Sequence, residues 1–350
     1  MGASPSPLRV GIVGAGANTR EKHLPGLQRI AGVELIAVCN RSEASSRAVA
    51  DAFRIARIAR RWQEIVEAPD IDAVVIGTWP YLHADVTIAA LDHGKHVLTE
   101  ARMAATLADA QRMLEAARRH PKLVAQVVPA PMSLNVDETV VELLLDGRLG
   151  DLREVLAIHT GGQFADSSAP MTWRQDERLS GINMLTLGIM HEMIERWVGE
   201  EPRWVVADAA VCTPQRRDPS TGQPQPVKIP ETVSVLGRLP GGARLAYHLS
   251  GVEAGAARGE LRLNGSKGCL RFELATDALF YTAIGGREQP VEIPAQRRRG
   301  WRVEDDFVAS IRTGAPVRLT SLEQGVRYIA FTDAVWRSWQ AGASKIELSG

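Results

Sequence analysis

The chain has 350 residues, of which 45% are hydrophobic and 23% charged, and its 41 Lys and Arg residues balance 41 Asp and Glu residues. This length is too great for one ordinary hydrophobic core and predicts two domains. A formal net charge of zero provides none of the attraction that nucleic acid or an anionic membrane requires. We therefore expect a small-molecule partner, with no nucleic acid and no membrane.

The three cysteines, Cys39, Cys212 and Cys269, are odd in number and far apart. This pattern matches neither a disulfide framework nor the ligand spacing of a metal site, and it predicts reduced thiols in the cytoplasm with no bound metal. No apolar run approaches the roughly 18 residues of a membrane span. The first residues, MGASPSPLRV, lack the apolar segment of a signal peptide. We expect a soluble chain.

Short apolar runs alternate with amphipathic segments from residue 8 to about residue 128. The runs are RVGIVG, VELIAVC, DAVVIGT, KHVLTE and LVAQVV. Apolar runs of this kind, separated by helical periods, predict βαβ units around a parallel sheet that helices cover on both faces. The predicted strand KHVLTE ends at the carboxylate Glu100. A helix is expected to begin directly after it.

The pattern changes beyond residue 129. A helix in APMSLNVDETVVELLLDGRLG ends at a glycine, and the strand-like segments LREVLAIHTGG, RWVVADAAVC, TVSVLGRL, ARLAYHLSG, GELRLNG and GCLRFEL then follow one another through short turns. Consecutive strands of this kind predict a large, mainly antiparallel sheet. A helix is predicted from Gly181 to Val198, two more helices close the chain, and TPQRRDPSTGQPQP is predicted to be an exposed loop. The fold class is therefore α/β.

The stretch RVGIVGAGANTR places Gly14 and Gly16 between the first strand and a helix. The first glycine permits a tight turn, and the second lets the backbone approach a pyrophosphate at the helix N-terminus, where Ala17 and Asn18 lie. The place of a third glycine is taken by Thr19. This pattern after the first strand of a βαβ unit predicts a dinucleotide site, with a glycine-rich turn that binds nothing as the alternative.

The end of the second strand bears on the choice of dinucleotide. An NAD site usually offers a carboxylate to the ribose hydroxyls there. This chain instead has the uncharged Asn40, the cationic Arg41 and the hydrogen-bonding Ser42. A carboxylate would repel a 2′-phosphate, whereas these residues favour it. We predict a preference for NADP(H), with NAD as the second possibility; a solvent-facing Arg41 without a ligand is the alternative.

Taken in order, these motifs resemble the Gfo/Idh/MocA oxidoreductase family, which includes glucose-fructose oxidoreductase and inositol dehydrogenases. The likeness extends over nearly the whole chain and includes the nucleotide loop with His23 and Pro25, followed by DIDAVVIGTWPYLH, GKHVLTE, DGRLGDL, WRQDERLSG, RWVGEEP, LNGSKGCLRF, DFVASIRTG and SLEQGVRY. It implies an NADP-binding Rossmann domain over residues 1–128, a doubly wound parallel sheet. It further implies a substrate-binding and oligomerisation domain over residues 129–350, built on a large open sheet, with homo-oligomers (dimer or tetramer) formed through that sheet.

The resemblance also implies NAD(P)-linked oxidation or reduction of sugars and cyclitols, but the chain departs from the family where the chemistry is expected. The family's Thr-Pro-Asn near the nicotinamide is replaced by Thr78, Trp79 and Pro80, although His83 keeps its place. The family's Glu-Lys-Pro becomes Glu100–Arg102, so the lysine that polarises the substrate oxygen is replaced by alanine. Of these residues, we assign Thr78, Trp79, His83 and Glu100 to cofactor binding.

A second departure lies on the helix that follows WRQDERLSG. The family's Asp-x-Gly-x-His falls on residues 186–190, which read Thr-Leu-Gly-Ile-Met, so both the aspartate and the histidine are absent. His191 lies one place further along. One residue is about 100° around a helix, so His191 does not simply inherit the direction of its neighbour.

Alcohol oxidation needs a group that accepts the hydroxyl proton, with a pKa near the working pH. We name His191, Arg102 and Tyr81 as candidate catalytic residues. His191 has a suitable intrinsic pKa, with a structural role as the alternative. Arg102 orients or polarises an oxygen but cannot act as a base, and Tyr81 and His83 offer a proton relay. The substrate-binding candidates are Arg102, Trp173, Arg174, Asp176 and His191.

Three functions remain open at this point. The first is an NADP(H)-dependent oxidoreductase with unusual acid/base residues, acting on a sugar, a cyclitol or a related hydroxy or keto compound. The second is a redox-silent NADP(H)-binding regulator or partner subunit, which the loss of three family groups suggests. The third is a redox-neutral enzyme that retains its nicotinamide cofactor. All three share one fold, so the fold alone does not choose among them.

Overall fold

The computed structural model of the protein describes residues 6–348. Its strands are β1 (Leu8–Val13), β2 (Val33–Cys39), β3 (Arg57–Ile58), β4 (Ala73–Ile76), β5 (His96–Thr99), β6 (Ala125–Val127), β7 (Leu152–Thr160), β8 (Trp204–Ala210), β9 (Gln215–Arg217), β10 (Pro224–Pro226), β11 (Thr232–Arg238), β12 (Arg244–Ser250), β13 (Arg258–Gly265), β14 (Gly268–Glu273), β15 (Ala278–Ala283), β16 (Gln289–Pro290) and β17 (Ile346–Glu347). Its α-helices are α1 (Leu24–Arg29), α2 (Glu43–Phe53), α3 (Gln63–Val66), α4 (His83–Asp92), α5 (Leu107–Arg119), α6 (Asp137–Leu145), α7 (Glu177–Ser180), α8 (Leu187–Val198), α9 (Val303–Thr313) and α10 (Leu322–Gln340).

The chain divides into two compact units. The first runs to Pro129 and also contains Arg302–Val326, and the second contains Ala130–Trp301 and the chain from Arg327. The sequence placed everything after residue 128 in one domain, which is wrong for Arg302–Val326. This segment belongs with the first unit because α9 packs against α1 and because the Val127 amide donates to the Thr320 carbonyl at 3.0 Å.

The first unit is built on a parallel sheet with the strand order β3-β2-β1-β4-β5-β6, as predicted except for the short β3. Its central strands are buried: Val10 and Ile12 of β1 have no exposed surface, and all four residues of β4 are buried. The order reverses between β1 and β4, with β2 on one side and β4 on the other. In such sheets ligands bind at the carboxyl ends of the strands beside this point of reversal.

The second unit contains a nine-stranded sheet with the order β16-β15-β14-β13-β7-β12-β11-β8-β17 among the described residues. Every neighbouring pair is antiparallel except β7 and β12, which are parallel, so the predicted open, mainly antiparallel sheet is confirmed. Alternate residues such as Val155, Leu245 and Leu249 face a core shared with α8 and α10. The predicted exposed loop TPQRRDPSTGQPQP contains a small hairpin, β9–β10, because its two Pro- and Gln-containing arms pair in register.

The predicted helix Gly181–Val198 begins only at Leu187. Gly181, at φ 64°, ends the short α7, and the Asn183 side chain donates back to the Ser180 carbonyl at 2.7 Å. Leu185 then takes a left-handed conformation, with φ 49°, which no helix continues through. The polar side chains of Ser180 and Asn183 therefore form a turn where the sequence pattern predicted helix.

Two further expectations concern membranes and thiols. Within residues 6–348 no helix has both the length and the apolar character that a membrane crossing requires. Cys39, Cys212 and Cys269 are free thiols. In the same part of the chain, no three His, Cys, Asp or Glu side chains gather closely enough to hold a metal ion.

Candidate functional site

The glycine-rich loop lies at the carboxyl end of β1 and approaches the end of β4. Gly14 has a φ of +80°, and a Cβ added to it would lie 2.7 Å from the Thr78 amide nitrogen. A Cβ on Gly16 would lie 3.3 Å from the Gly77 carbonyl oxygen. Helical structure begins at Ala17, directly after the loop. The two missing side chains leave a cradle of bare backbone at a helix N-terminus, which suits a pyrophosphate.

Thr19 fits in place of a third glycine because its neighbour is itself a glycine. A Cβ on Gly77 would collide with Thr19 Oγ1, and this hydroxyl lies 3.5 Å from the Gly14 carbonyl oxygen. The glycine that permits close packing is Gly77 at the end of β4, so the helix that contains Thr19 can still approach this strand end closely. The same turn of helix, Thr19–His23, is a π-helix, a local irregularity often found at functional sites.

Asn40 and Ser42 at the end of β2 have structural partners, whereas Arg41 faces outward. The Asn40 Oδ1 accepts a hydrogen bond from the Ala15 amide at 2.6 Å, so it fixes the glycine-rich loop. Ser42 Oγ caps α2 by accepting from the Ser45 amide at 3.2 Å. The guanidinium of Arg41 is exposed and lies 5.0 Å from the ring centroid of Trp79. Arg41 and Trp79 thus form a stacked pair between the ends of β2 and β4.

His23 lies buried between two carboxylates. Its Nε2 is 3.0 Å from Glu100 Oε1, and its Nδ1 is 2.5 Å from Glu304 Oε1 of α9. Gly26 makes room for this arrangement, because a Cβ there would lie 2.7 Å from Glu304 Oε2. Burial by itself lowers the pKa of His23, but the hydrogen bonds and charges of Glu100 and Glu304 outweigh it and raise the pKa to about 9. His23 is therefore a cation at neutral pH.

Glu100 connects this buried cation to the nucleotide loop. The side-chain amide of Asn18 donates to Glu100 Oε1 at 2.5 Å, and the Ala101 amide donates to Oε2 at 3.2 Å. Burial raises the pKa of Glu100, but the bond and charge of His23 prevail and hold it below its ordinary value. Glu100 is an ionised carboxylate at the carboxyl end of β5 that fixes Asn18 at the start of the helix.

His83 is fully buried, and both of its ring nitrogens face backbone carbonyl groups. Nδ1 lies 3.0 Å from the Arg102 carbonyl oxygen, and Nε2 lies 3.0 Å from that of Thr78. Burial lowers its pKa, and these carbonyl groups offset only part of that effect. These contacts argue against the predicted role of His83 as a cofactor ligand or a proton relay. His83 ties together the two backbone segments that carry Thr78 and Arg102.

The segment after Glu100 is not a helix. It runs as irregular backbone as far as Thr106, and α5 begins at Leu107, where Thr106 Oγ1 accepts from the Asp109 amide. Arg102 is 6% exposed and lies in this irregular segment, where the sequence predicted the start of a helix. Tyr81 lies in a single 3₁₀ turn, Pro80–Leu82, and is 45% exposed. It is the most open of the three residues named for catalysis.

In the second unit, Trp173 and Arg174 form a stacked pair on a loop between β7 and α7. The Arg174 guanidinium lies 4.4 Å from the Trp173 ring centroid. The next residue, Gln175, is buried and donates to Glu231 Oε1 at 2.6 Å. Glu231 is in turn paired with Arg216 at 3.1 Å, and neither side chain is more than 1% exposed.

The same buried ion pair fixes the loop backbone at several points. The Arg216 guanidinium donates to the carbonyl oxygens of Phe164 at 2.7 Å and Asp166 at 2.6 Å. Glu231 Oε2 accepts from the amides of Cys212 and Thr213 at 3.0 and 2.9 Å. Trp173 and Arg174 are therefore presented by a loop that is held from beneath by a buried charged pair.

The carboxylate of Asp176 is already bound by a neighbouring arginine. Both of its carboxylate oxygens accept from the Arg178 guanidinium, at 3.0 and 2.7 Å, and Oδ1 also caps α7 through the Arg178 amide. The Arg178 bond holds the pKa of Asp176 below its ordinary value despite its burial. These contacts argue against the predicted role of Asp176 in substrate binding, because the sequence did not reveal that Asp176 caps a helix.

His191 lies in the hydrophobic core of the second unit. Its ring stacks on Phe331 with centroids 3.6 Å apart, and it is 1% exposed. Nδ1 lies 3.2 Å from the Tyr247 hydroxyl and Nε2 lies 3.0 Å from Glu201 Oε2. Both ring nitrogens are thus occupied and no substrate reaches them, so the proposed catalytic and substrate-binding roles of His191 are not supported. The alternative, a structural histidine, fits this environment.

One polar side chain on the helix-covered face of the large sheet was not predicted from the sequence. His159, near the end of β7, is half-buried and its Nδ1 lies 2.8 Å from Thr186 Oγ1, at the start of α8. The alternation of β7 would have located it, because Val155 and Ala157 are core residues of the same period. The long-range pairing of His23 with Glu304, in contrast, has no local signal in the sequence.

The arrangement in each unit can be compared with known proteins. Residues 8–127 match the GFO/IDH/MocA oxidoreductase family model, described as an NAD-binding Rossmann fold, and residues 138–271 match the GFO/IDH/MocA C-terminal domain. An uncharacterized oxidoreductase of Rhizobium meliloti is 25% identical over 346 residues, covering 96% of this chain and 98% of that protein.

A second relative is more similar over a shorter range. The dTDP-3,4-didehydro-2,6-dideoxy-alpha-D-glucose 3-reductase of Saccharopolyspora spinosa is 30% identical over 183 residues, so this chain matches 53% of its length. Among solved structures, levoglucosan dehydrogenase in complex with NADH and levoglucosan has a TM-score of 0.87 at 20% identity, covering 99% of this chain and 100% of that one. At this level of identity the structural likeness shows the fold.

Proposed function

The chain belongs to the Gfo/Idh/MocA oxidoreductase family, and on that premise we propose that it is an NADP(H)-dependent enzyme that interconverts a hydroxyl and a keto group on a sugar, cyclitol or related compound. The observation that carries this proposal is the bare-backbone cradle of Gly14 and Gly16, fixed by Asn40 at the carboxyl edge of a parallel sheet. When bound there, a nicotinamide dinucleotide supplies the acceptor or donor of a hydride.

The residues of the first unit suit each part of the dinucleotide. The loop amides and the helix start at Ala17 and Asn18 receive the pyrophosphate. Asn18 is held by Glu100, which lies at the carboxyl end of β5. Thr78 follows β4 and packs directly on the loop. These contacts pre-order the site, so that little conformational entropy is lost when the cofactor binds.

The stacked pair of Arg41 and Trp79 is the basis for a preference for NADP(H). The end of β2 carries an amide, Asn40, in place of a carboxylate, and that amide is committed to the loop. Arg41 is held on the Trp79 ring at 5.0 Å, where its guanidinium donors are exposed. Guanidinium groups bind phosphate through strong charge-assisted hydrogen bonds. Levoglucosan dehydrogenase was solved with NADH, so an NAD preference is the outcome that would count against this part of the proposal.

The substrate is expected at the loop of Trp173 and Arg174. An aromatic face packs against the C–H groups of a sugar ring, and a guanidinium donates hydrogen bonds to hydroxyl, carboxylate or phosphate oxygens. Arg102, a residue of the first unit, remains a candidate for holding a substrate oxygen. Neither arginine accepts a proton, because the guanidinium stays charged at every relevant pH. Of the residues named for catalysis, only Tyr81 then remains as a group that gives or takes a proton.

The open face of the large sheet is proposed to join copies of this chain into a dimer or tetramer. One row of side chains on that face runs across β8, β11, β12 and β7 as Val206, Leu236, Ala246 and Leu156, which are in register. Leu236 is 49% exposed. A continuous apolar row on one face of a sheet is characteristic of a protein interface. The expected compartment is the cytoplasm, in keeping with the free thiols.

The proposal is tested with purified protein saturated with NADP+ or NADPH, with saturation established by tryptophan quenching. Polyols are added to the oxidised form and keto sugars to the reduced form, and nicotinamide absorbance is followed. Turnover with NADP+ and at least tenfold weaker binding of NADH than NADPH is the expected result. Tight binding with constant absorbance throughout would favour the regulator or the redox-neutral enzyme, which the alanine at position 101 motivates. Equal dissociation constants for NADH and NADPH would refute the cofactor preference.

A further inference from the structure

The proposed oxidation needs a group that accepts the hydroxyl proton. Tyr81 is one candidate, and a histidine, whose ordinary pKa lies near neutral pH, is the better suited kind of side chain. The chain has eight histidines. Three of them are buried with both ring nitrogens occupied: His23, His83 and His191. A histidine in that condition has no free nitrogen for a substrate.

Four more histidines are excluded by position. His93 lies exposed at the end of α4 and bonds the Ala89 carbonyl, and His120 bonds Asp92 beyond the end of α5. His96 begins β5, at the edge of the sheet away from the nucleotide loop, and accepts from the Val124 amide. His248 lies on the open face of the second sheet. His159 is the histidine that remains.

His159 points to the helix-covered face of that sheet. It is paired across β12 with Leu249, a core residue, whereas its neighbour Ile158 is paired with His248. Its other strand neighbour is Gly259 of β13. The residue directly after β7 leads into the loop that presents Trp173 and Arg174. His159 therefore lies at the end of the strand from which that loop departs.

Thr186 is the hydrogen-bond partner of Nδ1 of the ring. Nδ1 lies 2.8 Å from Thr186 Oγ1. When Nδ1–H donates to this hydroxyl, Nε2 carries the lone pair. Within the described residues, Nε2 makes no hydrogen bond or ion pair, and the side chain keeps part of its surface exposed. An oriented ring with an open basic nitrogen is the arrangement that general base catalysis requires.

We propose that Nε2 of His159 accepts the hydroxyl proton of the sugar or cyclitol, with Thr186 as the residue that positions the ring. This inference rests on the proposed oxidoreductase function and names the base for it. In the oxidative direction the substrate C–H bond breaks with its electron pair passing to NADP+, and the O–H bond breaks with its proton passing to Nε2. The carbon–oxygen double bond forms, and the imidazolium releases its proton to solvent. In the reductive direction the same imidazolium returns the proton.

The surroundings of His159 favour this role at neutral pH. Burial lowers its pKa, and no charged side chain in the described part of the chain adds to or opposes that shift. Its two neighbours in the sheet, Leu249 on β12 and Gly259 on β13, and its hydrogen-bond partner Thr186 before α8 are all uncharged. His159 is therefore neutral and ready to accept a proton at pH 7.

The test compares His159→Gln, which retains a hydrogen-bonding side chain, with His93→Gln, the same change at an exposed histidine. Wild type and both variants are assayed with NADP+ and a panel of myo-inositol, D-glucose and levoglucosan. We expect His159→Gln to lower kcat by about 100-fold or more, with NADPH affinity unchanged and KM altered only a few-fold. Imidazole added to His159→Ala should restore part of the activity, and Thr186→Val should lower kcat about tenfold through loss of one orienting hydrogen bond.

The pH profile supplies a second readout. The kcat of wild type should rise through a pKa below 6.5 and then level off, and His159→Gln should lose this limb. Activity of His159→Gln within threefold of wild type, with the limb intact, would overturn the inference and leave the oxidoreductase function standing.

A third readout does not depend on turnover. In protein labelled at histidine Cε1, the signal missing from His159→Gln identifies His159, and the panel sugars are titrated into protein saturated with NADP+. A shift of that signal supports contact with the substrate. No shift at saturating sugar would overturn the inference, and the absence of wild-type turnover would independently count against the proposed function.

Discussion

His23 and His191 are both buried histidines beside glutamates, one in each unit of the chain, but their surroundings give them different consequences. His23 touches two carboxylates, Glu100 and Glu304, and is held as a cation. His191 touches one carboxylate, Glu201, and one phenol, and its ring is stacked on Phe331. His23 is connected to the glycine-rich loop through Glu100, which also binds Asn18. His191 instead packs in the core of its unit.

The neighbours of His191 extend this contrast. Glu201 bonds His191, and Glu195 on α8 is paired with Arg327. Burial, followed by repulsion from Glu201, raises the pKa of Glu195 to about 8. For Glu201, the effect of burial is outweighed by its interactions with His191, Glu195 and Arg327, which together hold its pKa below the ordinary value. Glu195, Glu201 and their partners His191 and Arg327 therefore interact with one another within the second unit.

The largest expected effect on stability concerns the ion pair beneath that loop. Arg216→Met should lower the free energy of unfolding by about 3–5 kcal/mol, because it leaves the fully buried Glu231 without its cation. Arg258→Met, at a half-exposed arginine paired with Glu253, is the control and should cost under about 1 kcal/mol. Denaturant midpoints measured by circular dichroism give the comparison. Equal midpoints for the two variants would show that the buried pair does not support the second unit.

A second prediction concerns how the stabilisation provided by His23 depends on pH. The pKa of His23 is about 9 in the folded chain against 6.5 as its ordinary value. Its stabilisation is therefore complete below pH 6.5 and is lost as the pH rises through 9, by about 3 kcal/mol in all. Unfolding free energies of wild type and His23→Gln, measured from pH 6 to pH 9.5, should converge at the alkaline end. Parallel curves would contradict a cationic His23.

The third prediction concerns the cofactor. Arg41→Ala should weaken NADPH binding about tenfold and leave NADH binding nearly unchanged, because one charge-assisted phosphate contact is worth about 1.4 kcal/mol or more. Asn40→Asp should favour NADH, since its carboxylate can still accept from the Ala15 amide but repels a 2′-phosphate. Dissociation constants are measured by tryptophan quenching. A loss of NADPH and NADH affinity by the same factor in Arg41→Ala would indicate a general role in folding or adenine stacking.

The smallest effect is expected at Asp176. Asp176→Ala should lower the free energy of unfolding by about 1 kcal/mol through loss of the cap of α7. The substrate KM of Asp176→Ala should differ from the wild-type value by less than the KM of Arg174→Ala does. Glu177→Ala, the next residue and an exposed one, provides the matched control. A KM increase for Asp176→Ala as large as for Arg174→Ala would restore the substrate-binding role that its hydrogen bonds now argue against.

The first unit was more predictable from sequence than the second for a physical reason. Gly14, Asn40 and Glu100 each follow a short apolar strand, and parallel strands bring their carboxyl ends to one edge. Their neighbourhood therefore follows from topology alone. The environment of His83 could not be predicted in this way. Its ring nitrogens face the backbone carbonyl groups of Thr78 and Arg102, and the pattern of strands does not indicate such contacts.

The second unit was harder to predict because the sequence pattern placed the start of α8 six residues too early, at Gly181 in place of Leu187. Gly181 and Leu185 adopt positive φ angles, and no periodicity of apolar residues reveals them. His191 lies on the core-facing side of α8, which begins at Leu187, and Asp176 caps the separate short helix α7. His159, whose position follows from simple strand alternation, was the residue that sequence reasoning had the means to find. The contacts of Glu304 with His23, across 281 positions, require the fold itself.

The central claim is that hydride passes between a sugar or cyclitol and the nicotinamide held by the first unit. The most direct measurement incubates wild-type protein and NADP+ with pooled carbon-deuterated sugars and cyclitols and analyses the recovered cofactor by mass spectrometry. The account predicts reduced cofactor that carries one deuterium, with far less of it from His159→Gln. Cofactor that is bound tightly but recovered oxidised and without deuterium would contradict the account and favour the nucleotide-binding regulator or the redox-neutral enzyme.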